Sequence, residues 1–224
     1  MILGDSGTGK STSMRNLDPT KTLLIQAVRK PLPFRPKGWQ VKLSLKAPGN
    51  IIQTDDADKI EASMRHSQAP IIVIDDFQYI LANEFMRRSD ERGFDKFTEI
   101  GRHAWNVMRA ASELADDRRV YIIAHTATDD AGRTKMKTIG KMLDEKVTPE
   151  GLFTIVLRTA VRDGVYLFGT QNSGNDTSKS PMGMFTDMYI DNDLAAVDAA
   201  ICEYWGITTP TTDAENSAPT LKAA

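Results

Sequence analysis

Apolar residues in this chain gather into short unbroken runs, separated by longer stretches where they recur every three or four positions. Short runs closed by turn residues predict buried strands, and the three-to-four repeat predicts helices packed against them. The runs are residues 1–3 ahead of Gly4, 22–27 (TLLIQA), 70–76 (PIIVIDD) and 120–125 (VYIIAH). A helix is expected from Ser11 to Leu17, where Asp18-Pro19 stops it. Asp55-Asp56 should cap a second helix reaching about Gln68, with Ile60 and Met64 facing inward. Residues 77–88 predict a third helix, broken by SDERG at 89–93. A longer helix over about 95–116 carries Ile100, Ala104, Val107, Ala111 and Leu114 on one stripe. On it, Phe97 and Trp105 are expected in the core or at a subunit contact, and His103 at the surface or as a cap. Residues 41–45 alternate and read as a short extra strand. Residues 153–159 and 165–170 flank Arg162-Asp163-Gly164 as a hairpin, and 193–204 is a final helix. Strands alternating with helices describe an α/β fold with a mostly parallel sheet between helical layers.

The turn after the first run changes the picture. Residues 4–11 read GDSGTGKS and fit the phosphate-cradling pattern GxxxxGK[ST] at each position. Glycines 4, 7 and 9 let successive N–H groups converge on one anion. The expected cradle is Gly4, Asp5, Ser6, Gly7, Thr8, Gly9, Lys10, Ser11 and Thr12. Lys10 would reach the β- and γ-phosphates, and the Ser11 hydroxyl would ligate Mg²⁺. A nucleoside triphosphate, ATP, is the implied ligand. In PIIVIDD, four apolar residues ending in two acids describe a buried parallel strand with carboxylates at its ligand-binding edge. This is a Walker B element: Asp75 would hold the metal through water and Asp76 would polarise the attacking water. His125 closes its strand at the same edge, as a γ-phosphate sensor or a simple strand cap.

Other polar segments are less determined. Residues 29–39 (RKPLPFRPKGW) hold three prolines and four basic residues. They predict an extended loop, either a solvated connector over the sheet edge or a loop facing nucleotide or partner. Residues 126–151 carry Arg133, Lys135, Lys137 and Lys141, a basic loop that is either solvated or DNA-contacting. Lys179, in a polar loop, is either an exposed lysine or a cation reaching a neighbouring subunit's nucleotide.

Composition sets limits. The 224 residues carry a net charge of −2, so no global basic field drives nucleic-acid binding. Cys202 is the one cysteine, which excludes an internal disulfide and a cysteine-based zinc site. That suits a reducing cytoplasm, and no apolar run near 18 residues suggests a membrane span. Only three residues precede Gly4, against about five or six in a typical strand, so a shortened N-terminal strand is expected. One domain over 1–206 and a disordered tail over 207–224, rich in Thr, Pro, Ala and Ser, complete the reading.

With GDSGTGKST, LDP, KPLPF, IDDFQY, AHT, KTIGK, TQNSGNDTSKSPMGMF and NDL together, the chain resembles phage-encoded RecA-like P-loop ATPases of the ATP-binding or single-strand annealing type. The resemblance covers most of residues 1–206. It implies a three-layer P-loop fold whose RecA-like sheet inserts the VYIIAH strand between the loop strand and the Walker B strand. It further implies ATP hydrolysis, single-stranded DNA binding, homo-oligomers, and work beside a phage recombinase or single-strand binding protein in the host cytoplasm. Lys10, Ser11 and Asp75 take the phosphate and metal roles, His125 the sensor position, and Lys179 that of a finger acting across subunits. Two departures stand out. The catalytic glutamate that such enzymes carry after the second strand is replaced by Gln26, Ala27 and Val28, so the base is Asp76 or another acid, or hydrolysis is slow. The arginine two residues after the late lysine is replaced by Pro181. A weakly hydrolysing switch or loader for a phage replication protein is therefore the alternative, with a small-molecule kinase well behind it.

Overall fold

The structure, a computed structural model, describes residues 1–43, 47–139 and 142–208. Its strands are β1 (Ile2–Gly4), β2 (Thr22–Gln26), β3 (Ile51–Gln53), β4 (Ile71–Asp75), β5 (Arg119–Thr128), β6 (Thr134–Met136), β7 (Leu157–Arg162), β8 (Val165–Gly169) and β9 (Tyr189–Asp191). Its α-helices are α1 (Ala57–His66), α2 (Gln78–Arg87), α3 (Asp95–Ser112) and α4 (Leu194–Trp205). The strands form one sheet in the order β3-β2-β4-β5-β1-β7-β8-β9, with β6 paired to β5. From β3 to β7 every neighbouring pair is parallel, and β7-β8-β9 continues antiparallel. β5 lies between the phosphate-loop strand β1 and the acid-bearing strand β4, which is the RecA-like arrangement.

The unbroken apolar runs follow from burial on both faces. Every residue of β2 and β4 is buried. Ile72, Ile74, Ile122 and Ala124 pack under α1, α2 and α3, whose Ile60, Met64, Ile80, Ile100, Ala104 and Val107 fill that layer. Val73, Tyr121 and Ile123 face the other way, onto Met14, Trp39 and the α4 residues Leu194, Val197 and Ile201. The sheet thus sits between two helical layers. At the opposite edge from the phosphate loop, buried Arg119 at the start of β5 makes a two-point ion pair with Asp198 of α4, at 2.9 and 2.8 Å. The Tyr121 hydroxyl donates to the same carboxylate at 2.5 Å.

Several elements differ from the sequence reading. The segment after the phosphate loop is a 3-10 helix, Ser11–Asn16, and not an α-helix. The Ser13 hydroxyl donates to the Lys10 carbonyl at 2.6 Å, a back-bond that competes with regular α-helical pairing. A short strand forms at Ile51–Gln53; of the predicted strand over 41–45, Val41 makes a lone bridge to Ile51, and 44–46 lie outside the described residues. Asn50 decides this, since its side chain binds the Pro19 carbonyl at 2.6 Å and the Gln40 N–H at 2.8 Å. That anchors the following residues beside β2. The helices α1 and α3 stop at His66 and Ser112, short of the predicted ends. Where one loop was expected after His125, β5 runs on to Thr128 and folds back through β6. β9 carried no sequence signal, being three residues long. Phe97 stacks on Phe85 with centroids 5.5 Å apart, and His103 bonds Glu84 at 2.9 Å. The hairpin turns at Asp163-Gly164, both with positive φ, as expected for a tight two-residue connection. The predicted tail, from 209 onward, and Lys141 lie outside the described residues.

Candidate functional site

Parallel strands end at one edge, and the register brings the chemistry there. Gly4 lies opposite His125 across β1 and β5, and Gln26 opposite Asp75 across β2 and β4. From this edge the chain turns through residues 5–10 into the 3-10 helix. A Cβ on Gly4 would stand 1.8 Å from the Thr159 hydroxyl, so the loop starts in a slot that only glycine fits. Gly9 has φ +93°, with Tyr166 and Asn192 packed where a side chain would be. The Thr8 hydroxyl binds Thr159 at 2.5 Å, and the Thr126 hydroxyl donates to the Asp5 carboxylate. The loop is therefore tied to β7 on one side and β5 on the other.

Beside the loop is a cavity of about 390 Å³, lined by Lys10, Ser11 and Thr12, by Asp76 and His125, and by Lys30 and Tyr166. Its lining comes from separate strands: Asp76 and Lys30 follow β4 and β2, and Tyr166 lies on β8. The volume lies within the usual range of small-molecule sites, roughly 300–1,000 Å³. A wall made of the glycine-bearing loop and its lysine, with Ser6, Gly7, Gly9 and Lys10 lining it, fits a polyphosphate.

Two acids sit at the inner end. Ser11 donates to both oxygens of Asp75 at 2.9 Å. Asp75 is buried, and burial followed by the neighbouring charge of Asp76 pushes its carboxyl up to about 6. A hydroxyl and a carboxylate in contact are the hard oxygen donors that Mg²⁺ takes, so the residues present fit that ion. Asp76 is also buried, with φ +61°, a left-handed backbone that costs a non-glycine residue roughly 1–3 kcal/mol. That twist turns its carboxylate toward the cavity, where the Lys30 ammonium pairs with it and His125 Nε2 lies 3.7 Å away. Burial, then the charge of Lys10, lowers the His125 pKa, which favours the neutral imidazole near neutral pH. Burial also lowers Lys10, opposed by Asp76 and Asp75. Its ammonium donates to the Asp5 carbonyl at 2.6 Å, inside the loop.

Sequence reasoning left several of these residues without a role. Lys30 lay in the segment left open between connector and ligand-facing loop; its neighbour Pro31, which biases the preceding residue to extended backbone, was the available signal. Gln26, in the place of the missing glutamate, is a buried strut: it accepts from Gln53 at 3.1 Å and donates to the Lys30 carbonyl at 3.2 Å. Gln78 accepts the His125 N–H at 3.1 Å, and its own Nε2 has no hydrogen-bond partner among the described residues. Asn192, buried against Gly9, has neither side-chain amide atom hydrogen-bonded among the described residues. Lys30, Gln78 and Asn192 fall within the stretches KPLPF, IDDFQY and NDL that carry the family resemblance, but none had been given a role at the site.

Other candidates stand apart from the cavity. Lys179 exchanges backbone hydrogen bonds with Val156 and lies near the Met1 amino group, at the end of β1 away from the loop. Within one chain it is not brought to the site. Arg133 pairs with Asp129 at the tip of the β5-β6 hairpin. Lys135 lies on β6, and exposed Lys137 donates its N–H to the His125 carbonyl at 2.8 Å. The basic hairpin is thus a continuation of the strand that carries His125.

No helix among the described residues is long and apolar enough to cross a membrane. No protein-family model matches the chain. No curated protein matches it. Among solved structures, it is similar to the flagellar accessory protein FlaH from Methanocaldococcus jannaschii, at 15% identity over 75% of this chain and 74% of that one, with a TM-score of 0.37.

Proposed function

We propose that this protein is an Mg²⁺-dependent ATPase that binds single-stranded DNA and supports phage recombination or replication. The observation that carries the ATPase reading is the contact of Ser11 with Asp75 beneath the phosphate loop, with Asp76 and His125 at the same end of the cavity. The loop amides and Lys10 bind the phosphates. Asp76, aimed by its left-handed backbone, accepts a proton from the water that attacks the γ-phosphorus as the bond to the β-phosphate oxygen breaks. His125, as neutral imidazole, orients that water by a hydrogen bond. Mg²⁺, held by Ser11 and Asp75 directly or through water, would neutralise charge on the β- and γ-phosphates.

DNA binding rests on the basic hairpin and on the sequence resemblance, as do assembly with further copies and work beside a phage recombinase or single-strand binding protein. Phosphate release measured with and without single-stranded DNA tests the reading. Lys135→Ala with Lys137→Ala is expected to keep basal hydrolysis and lose DNA stimulation; unchanged stimulation would remove the hairpin from the DNA site. The second reading, a switch that barely hydrolyses ATP, is favoured by Gln26 standing where RecA-type enzymes have a glutamate. Tight ATP binding with flat turnover would select it.

The raised Asp75 pKa gives a pH test. A carboxyl whose folded pKa is above its unfolded value stabilises the fold at low pH, and that contribution fades as pH rises through about 6. Metal binding needs the ionised form and runs the other way. The added thermal stability from Mg²⁺ with ADP should therefore grow between pH about 5 and about 7.5 in wild type, and stay flat in Asp75→Asn. Equal growth in the two proteins would take Asp75 out of the metal site.

A further inference from the structure

We infer that Lys30 is the cation that binds the terminal phosphate from within the same chain, so that turnover does not wait for a residue of a neighbouring subunit. This rests on the ATPase reading and adds a residue to its site. The argument begins with the backbone. Gln26 donates to the Lys30 carbonyl, Gln53 holds Gln26, and Pro31 restrains Lys30 to extended backbone. These contacts set the start of a long side chain on Gln26 and Gln53, at the β2 and β3 ends, and on Pro31. Its ammonium then reaches Asp76, and the side chain is 39% exposed against 4% for its partner. Lys30 therefore spans from a buried carboxylate to the open cavity that Lys10 and Ser11 also line.

An ammonium carries three N–H donors. One satisfies Asp76, which leaves two for a phosphate group in the cavity that Lys30 lines together with Lys10 and Ser11. The ion pair with Asp76, first, and then the charge of Asp75 raise the Lys30 pKa against the effect of burial, so the group keeps its charge. Charge grows on the transferred phosphoryl group in the transition state, and a fixed cation at that point lowers the barrier. Lys179 does not supply it in this chain, because its backbone is pinned to Val156 at the other end of β1.

The test compares Lys30→Ala and Lys30→Arg with wild type, each checked for an unchanged near-ultraviolet circular dichroism spectrum. Binding of fluorescent ATP and ADP analogues is measured by anisotropy, and phosphate release is followed while wild type is diluted below the concentration at which light scattering detects assembly. The expected result for Lys30→Ala is about tenfold weaker ATP-analogue binding, unchanged ADP-analogue binding and kcat lower by about 100-fold, with partial recovery in Lys30→Arg. Specific activity of wild type should stay constant on dilution. Equal weakening of both nucleotides, unchanged ATP binding, or activity that falls on dilution would overturn the inference while leaving the nucleotide site standing. Failure of wild type to bind either nucleotide would overturn the ATPase reading and this inference together.

Discussion

Lys10→Ala is expected to lower ATP turnover by at least about 100-fold, the scale on which single preorganised charge-stabilising groups act. Position supports a catalytic and not a structural loss. Lys10 is buried at the loop wall, and its ammonium donates to the Asp5 carbonyl, a backbone group that the loop can leave to water. The thermal midpoint should accordingly move little, while turnover collapses. Its burial-lowered pKa is offset by Asp75 and Asp76, which the variant would leave facing each other with Lys30 as their remaining close cation. Asp76→Asn should give a comparable loss of turnover with ATP binding intact, because it removes the proton acceptor and not a phosphate ligand. Steady-state phosphate release with separate nucleotide titration distinguishes the two. A Lys10→Ala protein that hydrolyses ATP at the wild-type rate would sink the assignment of the loop.

The second large effect is on stability. Asp198→Ala should destabilise the fold by about 3–5 kcal/mol, since it strands the Arg119 guanidinium in the interior and removes the acceptor of the Tyr121 hydroxyl. For a domain of this size the thermal midpoint would fall by roughly 10 °C. Replacing the pair together, with Arg119→Met and Asp198→Leu, should recover most of the loss, because no charge is then left buried. Urea unfolding of the three proteins measures both terms. A loss below about 1 kcal/mol in the single variant would mean that water reaches Arg119. Nucleotide binding by the folded fraction should be unaffected, because the pair lies at the sheet edge opposite the phosphate loop.

What could be read from the residues alone was whatever local physics dictates. The phosphate loop was legible because a tight anion cradle demands glycine and a lysine at set spacing, within eight residues. β2, β4 and β5 were legible because strands buried on both faces must be apolar throughout. Asp75 and Asp76 were legible because they close such a strand at the edge where α/β sheets bind ligands, whereas His125, expected to end its strand, lies inside β5 opposite the end of β1. The rest depended on partners far away in sequence. The strand at 51–53 came from Asn50 reaching Pro19, and the hairpin after His125 from antiparallel pairing of 126–128 with 134–136. Lys30 became a site residue only because β2 and β4 are neighbours, which carries the loop after β2 past Asp76. Gln26, Gln78 and Asn192 gained their positions in the same way. Sequence by itself determined the loop, the buried strands and the acids, since each is imposed by near neighbours along the chain. Tertiary structure decided which cation and which amides meet them, because those contacts exist only once the sheet order has brought separate strand ends to one edge.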